Sequence, residues 1–155
     1  MVILAYSNMK QLTIRLTLPL TIISMFLVTK WWFALPVDGP EKLYWGFPFP
    51  FLGQGFHTSM SFQFFVLEFV ADFIVYFLGW VGLLFLISKM ISIDKGSNYI
   101  LISIWSLAML LSIGFIILLS ISNPVFHVKR DYDWRILQTG YVFIWQETPW
   151  PDRQE

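Results

Sequence analysis

Between Gly96 and Phe126 the chain carries no Asp, Glu, Lys or Arg, and the middle of that run is Ile, Leu, Phe and Trp. A hydrocarbon core about 30 Å thick is crossed by roughly 20 apolar residues of helix. A helix that is apolar all round has no face to turn to water, so a run this long and pure predicts a membrane span. Composition points the same way. Of 155 residues, 57% are hydrophobic, 19% aromatic and only 13% charged, against about 25% charged in ordinary soluble domains. Ten basic and ten acidic side chains balance, which leaves no field to recruit nucleic acid. Cysteine is absent, excluding disulfides, thiolate catalysis and cysteine-ligated metals.

The same scale applied along the chain gives three spans, at about 16–35, 62–88 and 98–120. The first follows Lys10 and Arg15, carries Pro19 in its opening turns and closes on Trp31, Trp32 and Pro36. An opening turn is where a missing N–H costs least. Lys-Trp-Trp-Phe follows this stretch instead of a small-x-small cleavage site, so it reads as a retained helix and not a signal peptide. The second span is entered through Thr58-Ser59-Met60-Ser61, hydroxyl residues suited to capping, and stops at Lys89. Asn123-Pro124 ends the third. The expected fold class is an all-α integral membrane protein. Residues 1–121 would form a three-helix transmembrane domain, and 122–155 a polar tail.

Residues 37–61 would be an interfacial loop. Its Leu43-Tyr-Trp-Gly-Phe-Pro-Phe-Pro-Phe-Leu52 is too aromatic to stand in water and too rich in proline for a helix. It is expected to lie in the headgroup layer, over the helix ends or against another membrane subunit. Trp31, Trp32 and Trp45 are the expected interfacial anchors. In the tail, residues 135–145 are rich in strand formers, with Thr139-Gly140 as a turn, so a β-hairpin is expected there. Such a hairpin is marginal alone and must lean on the membrane, the loop or a partner.

Orientation rests on the first helix, whose basic flank of Lys10 and Arg15 puts the N-terminus in the cytoplasm and, after three spans, the C-terminus outside. The raw distribution of Lys and Arg favours the reverse, but Lys30 lies within a span and Arg153 far from any. A small bacterial inner-membrane protein fits this composition.

Glu68 and Asp72 are the one constellation with chemical potential. Four apart on a helix, they share a face, which continues through Val75, Gly79 and Gly82, small enough to admit a neighbouring backbone. Phe69, Phe73, Phe77, Trp80 and Leu84 would then face lipid. Lys30 lies at the expected depth of Glu68, so an ion pair is open to them; Asp72 has no basic mate. The acids would set assembly, handle protons or cations, or, for Glu68, sit in the wet interface. His57 and His127 are the only histidines, without metal-binding spacing, so no metal, cofactor or catalytic set is expected and the chain reads as a non-enzyme. The expected role is a small integral membrane accessory or interaction subunit of a larger assembly. Its partners would be the bilayer and other membrane subunits or further copies. The alternative is an oligomeric proton- or cation-conducting component built on Glu68 and Asp72, with an enzyme using His57 and His127 a distant third.

Overall fold

Helix α1 (Val2–Leu27) passes without a break into strand β1 (Val28–Pro36). The computed structural model describes residues 2–37, 39–55, 61–90, 98–122, 124–131, 133–143 and 145–147, and among these the side chains of residues 15–87 and from 99 onward. After β1 come β2 (Lys42–Trp45), β3 (Leu52–Gln54), β4 (Phe62–Phe65), α2 (Val66–Met90), α3 (Asn98–Ile121), β5 (Val125–His127) and β6 (Trp134–Phe143). The six strands form one sheet in the order β5–β4–β3–β2–β1–β6, antiparallel except for the parallel β4–β5 pair.

Strand β1 organises this sheet. Val28-Thr29 and Trp31-Trp32-Phe33 are β-branched and aromatic, residues that pack well on a pleated surface. On one side β1 pairs with β2, Trp31 opposite Trp45 and Trp32 opposite Tyr44. On the other it pairs with β6 from Val28–Phe143 to Pro36–Trp134, with a bulge at Phe33/Ala34. The tail therefore supplies both edge strands of the sheet, β5 on one side and β6 on the other.

Sheet and helices meet end to end. α1 leads into β1, β4 leads directly into α2, and α3 reaches β5 through residues 122–124. α1 and α3 thus run toward the sheet and α2 away from it. α1 packs against both other helices. Where the three meet the sheet, Met25, Phe51, Leu52 and Phe64 are buried with Phe69 and Phe115 packed on them. The Phe69 and Phe115 rings stack at 6.3 Å.

The helices distribute polarity in an inverted way. Thr17 and Thr21 of α1 are buried, while Ile74, Leu78 and Phe85 of α2 and Leu110, Ile113 and Ile117 of α3 are exposed. Two hydroxyls of this helix are satisfied locally: buried Thr21 donates to the Thr17 carbonyl at 2.8 Å and half-buried Ser24 to that of Leu20 at 2.8 Å.

These findings correct the sequence expectations. The chain is not an all-α membrane protein with three transmembrane helices; it is mixed α/β, and the unqualified integral-membrane assignment falls with that fold class. Among the described residues two helical segments, Val66–Ile87 and Tyr99–Ile121, are long and apolar enough to cross a membrane, a property of length and composition that core helices of soluble proteins share. The apolar part of α1, Arg15–Leu27, is shorter, because the residues expected to finish the first span are strand β1. Pro19 lies inside α1, not in its opening turns. The expected tail hairpin is also absent: Thr139 and Gly140 continue through β6 without a turn. Gly140 faces Trp31 across the ladder, where an added Cβ would lie 2.7 Å from the indole. Glycine serves here as space for a ring, not as a bend.

Candidate functional site

Because α2 starts directly after β4, its first two turns lie beside the sheet, and Glu68 and Asp72 fall in that stretch. The β2–β3 connection descends onto Asp72. Its Phe47-Pro48-Phe49-Pro50 sequence contains two prolines without N–H, so only the Phe47 and Phe49 amides need acceptors there. Phe49 N–H donates to Asp72 Oδ1 at 2.8 Å, and the Phe47 amide faces the same carboxyl. Asp72 is wholly buried under this loop.

The loop is held at its root by backbone bonds. Gly46 N–H donates to the Lys30 carbonyl at 3.0 Å and Phe51 N–H to the Trp45 carbonyl at 3.0 Å. The Trp32 indole N–H donates to the Gly46 carbonyl at 2.9 Å. Gly46 has φ of 144°, and a Cβ there would strike the Phe49 carbonyl; only glycine makes this turn without strain.

Glu68, a turn nearer the sheet, accepts from the Arg130 N–H at 3.3 Å. The acids therefore tie two separate loops to α2. Asp72 Oδ2 and Glu68 Oε2 are buried without a hydrogen-bond partner among the described residues.

Lys30 stands elsewhere. Its ammonium lies 3.7 Å from the Trp32 ring centre and 6.0 Å from that of Tyr141, a cation–π arrangement. No ion pair joins it to Glu68 among the described residues. Strand alternation explains this: Lys30 shares a sheet face with Val28 and Trp32. Trp31 points to the other face and is buried with Phe33, Leu43 and Val142, and Trp45 packs against that cluster. The expected anchors Trp31, Trp32 and Trp45 are thus members of the sheet.

The faces of α2 also differ from expectation. Phe69, Phe73 and Tyr76 pack against the buried cluster, Leu84 is buried, and the Trp80 indole N–H donates to Ser24 of α1 at 2.9 Å. Gly79 and Gly82 are open, with nothing within 4 Å of an added Cβ. Gly79 has nearly the same helical angle as Asp72, but the covering loop ends above it.

Below that loop an apolar groove of about 430 Å³ lies between α1 and α2. Leu20, Ile23, Val28 and Trp80 form its walls, while Phe47 and Tyr141, rings 5.7 Å apart, roof it. His127 on β5 lies 5.8 Å from the Phe65 ring. His57 lies outside the described residues, so the expected histidine pair is not described. No group of three His, Cys, Asp or Glu suited to a metal occurs among the described residues.

The loop–acid contacts were missed by sequence reasoning because a backbone N–H has no side-chain signature. The usable signal was Phe-Pro-Phe-Pro itself: two orphan amides close to an acid with no basic mate. Compared with known proteins, the chain matches no family model, no curated protein and no solved structure.

Proposed function

We propose that α2 and α3 seat this protein in a bilayer and that it acts there as an accessory subunit, presenting the sheet to a partner membrane protein or a further copy. The inverted polarity of the helices supports the seating. In their most apolar windows only 11% of α2 and 6% of α3 is buried within the chain, whereas a core helix of a soluble protein is mostly buried. The more polar α1 is the covered one. Acids that receive backbone amides favour a structural role over conduction, since Asp72 is sealed under the loop.

Strand β6 carries the interaction role. It is a ten-residue edge strand paired with β1, and among the described residues no strand pairs its outer side. Ile136, Leu137, Tyr141 and Phe143 are exposed along it. A long apolar edge is a template for strand addition by a second chain. The test is a photo-crosslinking residue placed at Leu137 in intact membranes, with Ile116 on α3 as control. A discrete protein adduct from Leu137 and none from Ile116 is expected. Adducts from neither position, with the protein in place, would contradict the interaction role.

A further inference from the structure

We propose that the groove between α1 and α2 is a binding site for one acyl chain of an anionic phospholipid, with Lys30 holding the headgroup. This rests on the bilayer seating proposed above and adds a ligand to it.

The groove is within the range of roughly 300–1,000 Å³ typical of small-molecule sites, and its lining is apolar. Of the four side chains in its wall that carry a polar atom, Ser24, Tyr76, Trp80 and Tyr141, the first and third bond to each other, Trp80 N–H donating to Ser24 at 2.9 Å. That bond leaves neither of the two groups calling for water, which suits an alkyl chain. On the sheet side the groove is bordered by Phe47 and Tyr141, whose rings lie 5.7 Å apart, so that end lies at the level of β1.

That end carries a cation. Val28 lines the groove, and Lys30 is two residues further along the same strand and on the same face. Tyr141, in the roof, is the direct cross-strand partner of Lys30. The ammonium is held by rings and not by a carboxylate: Trp32 lies beneath it, and Glu68 is engaged by Arg130. An apolar slot ending at a half-buried ammonium without an acidic partner among the described residues complements an amphiphile of the opposite polarity: a hydrocarbon tail and an anionic head. A zwitterionic lipid fits the slot but gains less from the lysine.

The experiment uses the full-length protein in mild detergent and native mass spectrometry, titrating phosphatidylglycerol against phosphatidylcholine of the same chains. A single lysine contribution corresponds to about a fivefold preference for the anionic lipid. Lys30→Arg should keep that preference, Lys30→Gln should erase it while retaining the lipid, and Val28→Trp should lower retention of both lipids. Equal retention of the two lipids by the wild-type protein would overturn the proposal, as would an unchanged preference in Lys30→Gln. The wild-type comparison decides even if a variant fails to fold. Failure of the bilayer seating is seen separately, as release of the wild-type chain from membranes by alkaline carbonate.

Discussion

The Phe49 backbone N–H donates to the Asp72 carboxylate at 2.8 Å, tying a Phe-Pro-Phe-Pro turn to the second turn of α2. The acid is placed by what the loop lacks: prolines remove two of its four donors, and Asp72 faces the remaining two. Asp72→Asn keeps an acceptor oxygen and should leave the loop in place. Asp72→Ala strands a covered amide, at a cost of about 1–3 kcal/mol. Hydrogen exchange over residues 46–51 checks this, with fast exchange expected in the alanine variant only. Equally fast exchange in Asp72→Asn would show that the hydrogen bond does not hold the loop.

Gly140 is a steric prediction. An added Cβ would meet the Trp31 indole at 2.7 Å, and overpacking of this kind costs roughly 1–3 kcal/mol. Gly140→Val should destabilise the protein, and Trp31→Leu in the same chain should recover part of the loss, because the two share one contact. Strictly additive losses, measured by unfolding in mixed micelles, would place the clash elsewhere.

Lys30 and Glu68 should behave independently. Lys30 stacks on Trp32 and Glu68 accepts from Arg130, so the effects of Lys30→Met and Glu68→Gln on stability should add to within about 0.5 kcal/mol. A markedly smaller loss in the double variant would reveal the ion pair that their sequence positions suggest.

Much of the helical layer was legible, and little of the sheet. The charge-free run marked α3, and the expected second span overlaps α2, because hydropathy needs no knowledge of partners. The end of α1 was misplaced because apolar, aromatic residues suit a membrane span and a buried strand equally. Only Val28-Thr29 and the clustered rings hinted at β1. Thr139-Gly140 carried a turn signal whose real cause, the Trp31 ring, lies on a strand far away in sequence. The spacing of Glu68 and Asp72 put both acids near the loops. It could not reveal Phe49 or Arg130, which contribute only main chain.

Orientation follows from the shared end of the helices. Strands β1–β4 and the tail strands β5 and β6 belong to one sheet, so they lie on one side of any bilayer that α2 and α3 cross. Single cysteines at Val37, after β1, and at Gln138 on β6 should therefore react with a membrane-impermeant maleimide from the same side of sealed vesicles. Labelling from opposite sides would contradict the shared side.

Single-cysteine accessibility reads the inverted polarity of the helices position by position. The chain has no cysteine of its own, so each introduced spin label is unique. Labels at Ile74 and Ile113, both exposed, should collide with dissolved oxygen and be shielded from a water-soluble nickel chelate. A label at Thr21, which is buried, should meet neither, and one at Gln138 on the sheet should meet the chelate. Ready collision of the chelate with Ile74 and Ile113 in reconstituted vesicles would put these helices in water and contradict the account.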